Sequence, residues 1–173
     1  MASRELEGNN RLRLSLEDLF GLLEATERME DAIALEEVIK EIFKSHVSED
    51  ARRKLEGGIS NLLLGKNDDA FLAFSEVAEK HSDYAEAWNK IAACEYMAGK
   101  FEKSLDAAKK ALDLMPLHFQ AYNGKGLCEY NQSNYSEAAA SFRKSLELDP
   151  WSPVSSKLAA CIDILNRKNQ NSS

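Results

Sequence analysis

Apolar residues recur at intervals of three and four along most of the chain, which is the period of an α-helix. Between residues 85 and 114 they form two amphipathic stretches that a short turn near Gly99 separates. The stretches centre on Trp88, Ile91, Ala92 and on Phe101, Leu105, Ala108, Ala111. Residues 51–84 and 119–152 show the same two stretches and turn. The pattern predicts an all-α chain built from three helix pairs.

A single offset of 34 residues relates the three blocks 51–84, 85–118 and 119–152. Matching residues at this offset are Pro116 and Pro150, Trp88 and Tyr122, Gly65 and Gly99, and the triplets Ala70, Ser104, Ala138 and Phe74, Ala108, Phe142. Chance matches would scatter over many offsets, so the register is specific. It predicts helices near 51–64, 67–80, 85–98, 101–114, 119–132 and 135–148, followed by a further helix near 153–167.

These blocks resemble the tetratricopeptide repeat, whose pattern places an aromatic residue at position 4, Leu at 7, Gly or Ala at 8, Tyr at 11, Ala at 20 and Pro at 32. Block two supplies Trp88, Ala92 and Pro116. Block three departs from the pattern at Lys125 and Glu129, and the Lys125 stem is expected to snorkel to the surface. The resemblance implies a right-handed superhelix, or α-solenoid. Trp88 is expected to be buried in it, so that Trp88→Ala would cost roughly 3–5 kcal/mol if that burial is nearly complete.

Both ends lie outside the repeat. Residues 1–14 are expected to be a flexible N-terminus, 15–50 an N-terminal helical cap with Ser15 as a helix N-cap, 153–168 a C-terminal capping helix, and 169–173 a tail. Ser152 and Pro153 are expected to be the N-cap and first helical residue of that last helix. For residues 15–50 two alternatives stay open, namely a plug lying in the groove of the solenoid and a dimerisation element.

Charge is distributed unevenly along the sequence. Residues 1–50 hold 13 acidic and 6 basic residues, while residues 51–173 hold 16 of each. The net charge of -7 argues against nucleic acid as the main ligand, because phosphate binding needs clustered Lys and Arg. No apolar run approaches the length of a membrane span. The acidic N-terminal part, residues 1–50, is either a solvated helix surface or an acidic contact surface.

The resemblance also implies where a partner would bind, because in this family the first helix of each pair lines a concave groove. The residues expected to face it are Asn89, Lys90, Tyr96, Asn123, Leu127, Tyr130 and Lys157. The two Asn side chains could bond a peptide backbone, since each both donates and accepts. If instead the family positions only pack neighbouring helices, these residues have no ligand.

Chaperone-adaptor members of the family hold a C-terminal carboxylate with Lys, Asn, Asn, Lys and Arg at fixed repeat positions. The positions that correspond when the count starts from block one are Leu55, Ile59, Lys90, Gln120 and Gly124, and from block two Asn89, Ala93, Gly124, Val154 and Leu158. Neither register supplies the set, so binding by that clamp is not expected.

Signals for chemistry are weak. The histidines His46, His81 and His118 fall at predicted helix ends and are expected to be exposed loop residues. The cysteines Cys94, Cys128 and Cys161 have no metal-ligand spacing, and the first two are expected to be buried structural thiols. No cofactor, metal or catalytic residue is expected.

The sequence therefore predicts a non-catalytic protein-interaction module that binds a peptide or a helix of another protein. The alternatives are a regulatory subunit or assembly factor of a larger complex, and a self-associating structural module. A cytoplasmic location is expected, with the stroma or matrix of an organelle as the alternative for a chain whose transit peptide is missing from the sequence.

Overall fold

A computed structural model describes residues 15–45 and 47–171. The expectations for residues 1–14 and for His46 lie outside the described residues, as do the last two positions of the tail. The described parts of the chain contain nine α-helices and no strand. The helices are α1 (Leu16–Ala25), α2 (Met29–Lys44), α3 (Glu49–Leu63), α4 (Asn67–Lys80), α5 (Ala85–Met97), α6 (Phe101–Leu114), α7 (Phe119–Asn131), α8 (Tyr135–Leu148) and α9 (Ser155–Gln170).

Helices α3 to α9 form an α-solenoid in which each helix packs on the next along the chain. Their ends agree with the sequence-predicted spans to within three residues, so the 34-residue register is confirmed. Such a stack buries a continuous core between consecutive helix pairs, because one pair cannot cover its own apolar face. No helix in the described ranges has the length and apolar character needed to cross a membrane.

Close approach of the two helices in a pair depends on repeat positions 8 and 24. A Cβ atom added at Gly58 would lie 2.5 Å from Cε1 of Phe74, and one added at Gly126 would lie 2.6 Å from Cε1 of Phe142. Both Phe rings are fully buried. Block two has the buried pair Ala92 and Ala108 at the same positions. In blocks one and three, a glycine without a side chain therefore faces a large Phe ring. In block two, two small alanine side chains face each other.

The turn within each pair requires a left-handed residue at position 15 of the repeat. Gly65 and Gly99 have φ of 72°, and Ser133 takes φ of 64° at the corresponding place in block three. Glycine adopts this conformation without steric cost, whereas a residue with a Cβ atom does not. Block three therefore carries local strain that the other two blocks avoid.

The departures from the repeat pattern in block three form one polar cluster. Lys125 Nζ lies 2.6 Å from Glu129 Oε1 and 2.8 Å from Ser141 Oγ, and Ser141 donates to Glu129 Oε2 at 2.6 Å. The expectation that Lys125 snorkels to the surface is therefore wrong, because its ammonium turns inward to a buried carboxylate. The ion pair of Lys125 and Glu129, bridged by the Ser141 hydroxyl, stands where the family pattern has Leu and Tyr.

The N-terminal segment α1–α2 begins as predicted, with Ser15 capping α1 in a capping box with Asp18. It packs elsewhere than expected. Its buried apolar residues join Phe119 and Leu148 in a cluster at the junction of blocks two and three, which we call the rim cluster. The segment residues of this cluster are Leu19, Phe20, Leu23, Ala32, Ile39 and Phe43.

Ring contacts hold α1–α2 in that place. Phe43 lies 4.4 Å from the His118 ring and 6.2 Å from the Phe119 ring, and Phe20 meets Phe119 edge-on at 6.4 Å. The described segment therefore packs on the start of α7 and the end of α8, and not on the first helix of the array. The segment also leaves the hollow between α5 and α7 uncovered, since α1–α2 contributes no residue to its lining.

Two local expectations are also corrected. Helix α9 begins at Ser155 with Val154 as its N-cap, while Ser152 is buried and accepts a hydrogen bond from Asn123. Trp88 is only partly buried against the core, and its Nε1 donates to the Ser82 carbonyl at 3.0 Å. The condition of nearly complete burial is not met, so a cost below the range of 3–5 kcal/mol follows for Trp88→Ala.

Candidate functional site

The first helices of blocks two and three enclose a hollow of about 340 Å³. It is lined by Asn89, Lys90, Ala92, Ala93, Tyr96 and Met97 of α5, Ser104 of α6, and Gln120, Asn123, Gly124 and Leu127 of α7. Five of the seven sequence-predicted groove residues are in this set, namely Asn89, Lys90, Tyr96, Asn123 and Leu127. The repeat brings them together because positions 5, 6, 9 and 12 of successive first helices face the same side. We call this hollow the α5–α7 groove.

The two asparagines of the groove already have partners within the fold. Asn89 is 8% exposed, and its Nδ2 donates to Glu86 Oε2 at 3.2 Å. Asn123 Nδ2 donates to Ser152 Oγ at 3.0 Å, while its Oδ1 is buried without a hydrogen-bond partner. Their positions agree with the prediction, but their amides support the walls of the groove more than they project into it.

The aromatic residues of the predicted site are held by their neighbours. Tyr96 packs on Phe101 at 5.5 Å, and its Oη accepts a hydrogen bond from Asn131 at 3.0 Å. Tyr130 meets Tyr135 edge-on at 5.4 Å. Rings fixed in this way lose little side-chain entropy when a ligand packs on them.

Tyr130 and Lys157 form the second part of the predicted site, next to the α5–α7 groove. Lys157 of α9 places its Nζ 5.1 Å from the centroid of the Tyr130 ring, within range of a cation–π interaction. Neither residue lines the hollow itself. The structure thus divides the seven predicted residues into a groove set of five and an adjoining pair on the side of the C-terminal helix.

The sequence did not predict a buried ionic network that lies at the end of the α5–α7 groove. Glu86 is 4% exposed and receives Lys90 Nζ at 3.0 Å and His118 Nε2 at 2.8 Å. Burial alone would raise the pKa of Glu86, but Lys90 and His118 outweigh it and hold the pKa well below its usual value. The spacing of Glu86 and Lys90 is visible in the sequence, whereas the contact with His118 depends on the loop between α6 and α7.

His118 corrects an expectation, since it is fully buried and not an exposed loop residue. It lies between Glu86 of the solenoid and the Phe43 ring of α2. The physical reason is that α1–α2 folds over the α6–α7 loop and removes it from solvent. His118 therefore links the N-terminal segment to the wall of the groove.

A second buried acid lies where α2 meets the solenoid. Asp149 is 2% exposed and accepts a hydrogen bond from the Trp151 backbone N–H at 3.1 Å. Burial and the nearby Glu36 carboxylate raise the pKa of Asp149 to about 6, against the opposing effects of the Trp151 N–H and of Lys40. The docking surface of α2 thus contains a carboxyl group that titrates near neutrality.

The cysteines are placed as structural residues. Cys94, Cys128 and Cys161 are all buried, and burial raises the pKa of Cys94 to about 11, far from thiolate formation at neutral pH. The prediction of buried thiols is confirmed for Cys94 and Cys128. No group of three or more His, Cys, Asp or Glu within residues 15–45 and 47–171 is arranged to hold a metal ion.

Comparison with known proteins agrees with this architecture. The family model for the tetratricopeptide repeat (TPR) matches residues 55–116 and 98–153, which together cover 99 of the 173 residues. The chain belongs to the tetratricopeptide repeat family. A TPR is a non-catalytic module for protein–protein interaction. No curated protein sequence matches the chain.

Solved TPR domains resemble the chain in fold. The first TPR of Spaghetti (RPAP3), bound to the HSP90 peptide SRMEEVD, is 20% identical with a TM-score of 0.66, and the match covers 70% of this chain and 98% of that one. The Sgt2 TPR domain from Aspergillus fumigatus is 16% identical with a TM-score of 0.67, covering 73% of this chain and 85% of that one. The Arabidopsis OM64 TPR domain is 21% identical with a TM-score of 0.62, covering 69% and 96%. Identities this low establish the fold alone.

Proposed function

We propose that this TPR protein binds a peptide segment of another protein in the α5–α7 groove. The observation that carries the proposal is the presence of five predicted groove residues, all from the first helices of two adjacent repeats, in the lining of one hollow of about 340 Å³. Ligand sites are commonly concave and mostly apolar, with a few polar groups that orient the ligand. The α5–α7 groove has this composition, since Ala92, Ala93 and Leu127 lie beside the amides of Gln120 and Asn123.

The groove suits apolar side chains that follow the axis of an extended peptide. Adjacent packed helices lie about 8–10 Å apart, and an extended chain rises about 3.3 Å per residue, so two or three residues cross from one helix to the next. Tyr96 at one end and the adjoining Tyr130 with Lys157 would contact residues further along the same peptide. Gln120 is the lining amide we expect to bond the peptide backbone, because the Nδ2 groups of Asn89 and Asn123 already donate to Glu86 and Ser152.

The ligand we propose does not use the carboxylate clamp. A clamp in the first register would need Lys and Asn at Leu55 and Ile59, and Arg at Gly124. None of these three residues can pair with a carboxylate. The peptide SRMEEVD, which occupies the first TPR of Spaghetti (RPAP3), is therefore expected not to bind this chain.

Selection from a random peptide library on the immobilised full-length chain tests the proposal, followed by fluorescence anisotropy of each selected peptide. Tyr96→Ala and Leu127→Ala should each weaken binding by about tenfold or more, equivalent to about 1.4 kcal/mol. Lys109→Ala, at an exposed position on α6 outside the groove, is the matched control and should leave affinity unchanged.

Three results would contradict the proposal. Full affinity of the selected peptides for both groove variants would place binding on another surface. Binding of SRMEEVD as tight as that of the selected peptides would restore a terminal-carboxylate mode. Self-association in sedimentation velocity that the groove variants abolish would favour the structural-module alternative.

A further inference from the structure

A second hollow, of about 430 Å³, lies on the N-terminal segment between α2 and the start of α3. Val38 and Ile42 form its apolar floor, Glu37, Glu41 and Ser45 stand beside them, and Arg52 of α3 forms the far wall. Val38 is 48% exposed, although the neighbouring face of the same helix, with Ile39 and Phe43, is buried in the rim cluster. Helix α2 thus has an apolar face beside its buried one, on which Val38 is exposed and Ile42 is half-buried against the rim cluster.

The apolar residues of this second face have helical spacing. Ala34, Val38 and Ile42 follow one another at intervals of four residues and so lie in one row along α2, about 6 Å apart at 1.5 Å per residue. An amphipathic helix presents its own apolar side chains with the same spacing. Recognition of a helix in a groove between two helices uses anchors at such intervals.

Carboxylates border this row. The side chains of Glu37 and Glu41 are 62% and 58% exposed, and each pairs with a lysine of the same helix, Lys40 and Lys44. Arg52 is engaged by Glu49 at 3.2 Å, which leaves its charge matched within the chain. Residues 15–50 contain 11 acidic and 3 basic residues, a net charge of 3 − 11 = −8. The potential around the hollow is therefore negative, and it favours a partner that carries Lys or Arg beside its apolar side chains.

We propose that the α2–α3 hollow is a second docking surface, whose occupant is a basic amphipathic helix of a partner protein. Apolar residues of that helix lie on Val38 and Ile42, and its Lys or Arg side chains approach Glu37 and Glu41. A second copy of this chain is disfavoured because it would bring two segments of charge −8 together. An anionic membrane surface is disfavoured for the same electrostatic reason. The inference is independent of the α5–α7 groove, since the two hollows share no residue.

The test uses the full chain and a labelled synthetic peptide with leucine at successive helical i, i+4 positions and lysine elsewhere. Two control peptides have the same leucines with glutamate in place of lysine, or the same composition in an order without a helical apolar face. Fluorescence anisotropy should show that only the basic amphipathic peptide, of the three, binds the chain. Its affinity should fall as the salt concentration rises.

Chain variants then locate the surface. Val38→Asp should weaken binding by about tenfold or more, which corresponds to about 1.4 kcal/mol. Glu37→Gln with Glu41→Gln should weaken it and reduce its dependence on salt, while Tyr96→Ala should leave it unchanged. Matched controls are Leu72→Asp, which changes an exposed apolar residue of α4, and Glu102→Gln with Glu137→Gln on α6 and α8. Helical circular dichroism of each variant checks that the fold is kept.

Several outcomes would overturn the proposal. One is equal binding of the ordered and reordered basic peptides, which would indicate charge attraction without an apolar anchor. Another is a loss of affinity as large in Leu72→Asp as in Val38→Asp. A third is capture of the chain by vesicles of anionic lipid together with no binding of the peptide, and a fourth is dimerisation that Val38→Asp abolishes.

Discussion

Gly58 offers the sharpest test of how the helix pairs are packed. Replacing it with Ala adds one methyl group at a point 2.5 Å from the Phe74 ring. The neighbouring Gly57 lies in the same helix with nothing within 4 Å of an added Cβ atom. The two substitutions are chemically identical and adjacent in sequence, so they separate helix propensity from packing.

Helix propensity and overpacking determine the expected changes in the free energy of unfolding. Gly→Ala inside a helix is favourable by about 1 kcal/mol, which is the whole effect expected at Gly57. At Gly58 the methyl group must move a fully buried ring by roughly 1 Å to reach an ordinary contact, and overpacking of this kind costs about 1–3 kcal/mol. The cost belongs at the upper end of that range, because a buried ring cannot swing away into solvent. Gly58→Ala should therefore destabilise the protein by about 1–2 kcal/mol after the propensity gain is subtracted.

The sign of the effect should reverse when the ring is removed. In a Phe74→Ala background, which itself costs about 3–5 kcal/mol, Gly58→Ala meets no ring and should stabilise by about 1 kcal/mol. The double variant also reproduces the Ala–Ala combination that block two already has. Phe74→Leu serves as a milder background if Phe74→Ala does not fold.

Urea unfolding followed by helical circular dichroism gives the free energy of unfolding of each variant. The expected results are a gain for Gly57→Ala, a loss for Gly58→Ala, and a gain for Gly58→Ala in the Phe74 backgrounds. If Gly58→Ala stabilises the wild-type chain as much as Gly57→Ala does, the two helices of block one are further apart than this packing requires, and the reasoning fails.

Four further predictions use the same measurement. Ser133→Gly should stabilise by about 0.5–1 kcal/mol, because it relieves a left-handed conformation with φ of 64°; no gain would mean that the turn is unstrained. Lys125→Leu should destabilise the protein by about 3 kcal/mol by leaving the buried Glu129 without its cation, whereas Lys125→Leu with Glu129→Tyr should cost far less. A cost of the double variant equal to the sum of the costs of the two single variants would contradict this. Asp149 holds its proton more tightly in the folded chain, where its pKa is about 6 against 3.8 for the free side chain. Its stabilising contribution to the free energy of unfolding is therefore complete below pH 3.8 and is lost as pH rises through 6. A plot of stability against pH should therefore fall by about 2–3 kcal/mol more between pH 4 and 7 in the wild type than in Asp149→Asn, and parallel curves would refute it. Trp88→Ala should cost about 1–3 kcal/mol, below the value for a fully buried ring, and a loss above about 4 kcal/mol would show that the ring is more deeply buried than this.

The repeat itself was readable from the sequence because each TPR contacts mainly its neighbours. A solenoid translates a sequence period directly into a structural period, so one offset of 34 residues predicted six helices of the array. The same logic placed Asn89 and Asn123, or Tyr96 and Tyr130, at equivalent points of adjacent repeats. The period decides which face of each first helix a side chain occupies, and five of the seven predicted residues line one hollow, although Tyr130, the equivalent of Tyr96, does not.

The state of each of those side chains was decided by contacts between residues far apart in the chain. Asn123 is tied to Ser152 and Glu86 to His118, pairs that are 29 and 32 residues apart and that no period relates. The sequence likewise did not determine where α1–α2 docks, because residues 15–50 carry no repeat pattern that would specify which helices they pack against. Its apolar face would bury against any sufficiently apolar surface, and only the tertiary structure brings Phe119, Leu148 and the rings beside them together into the surface that it covers.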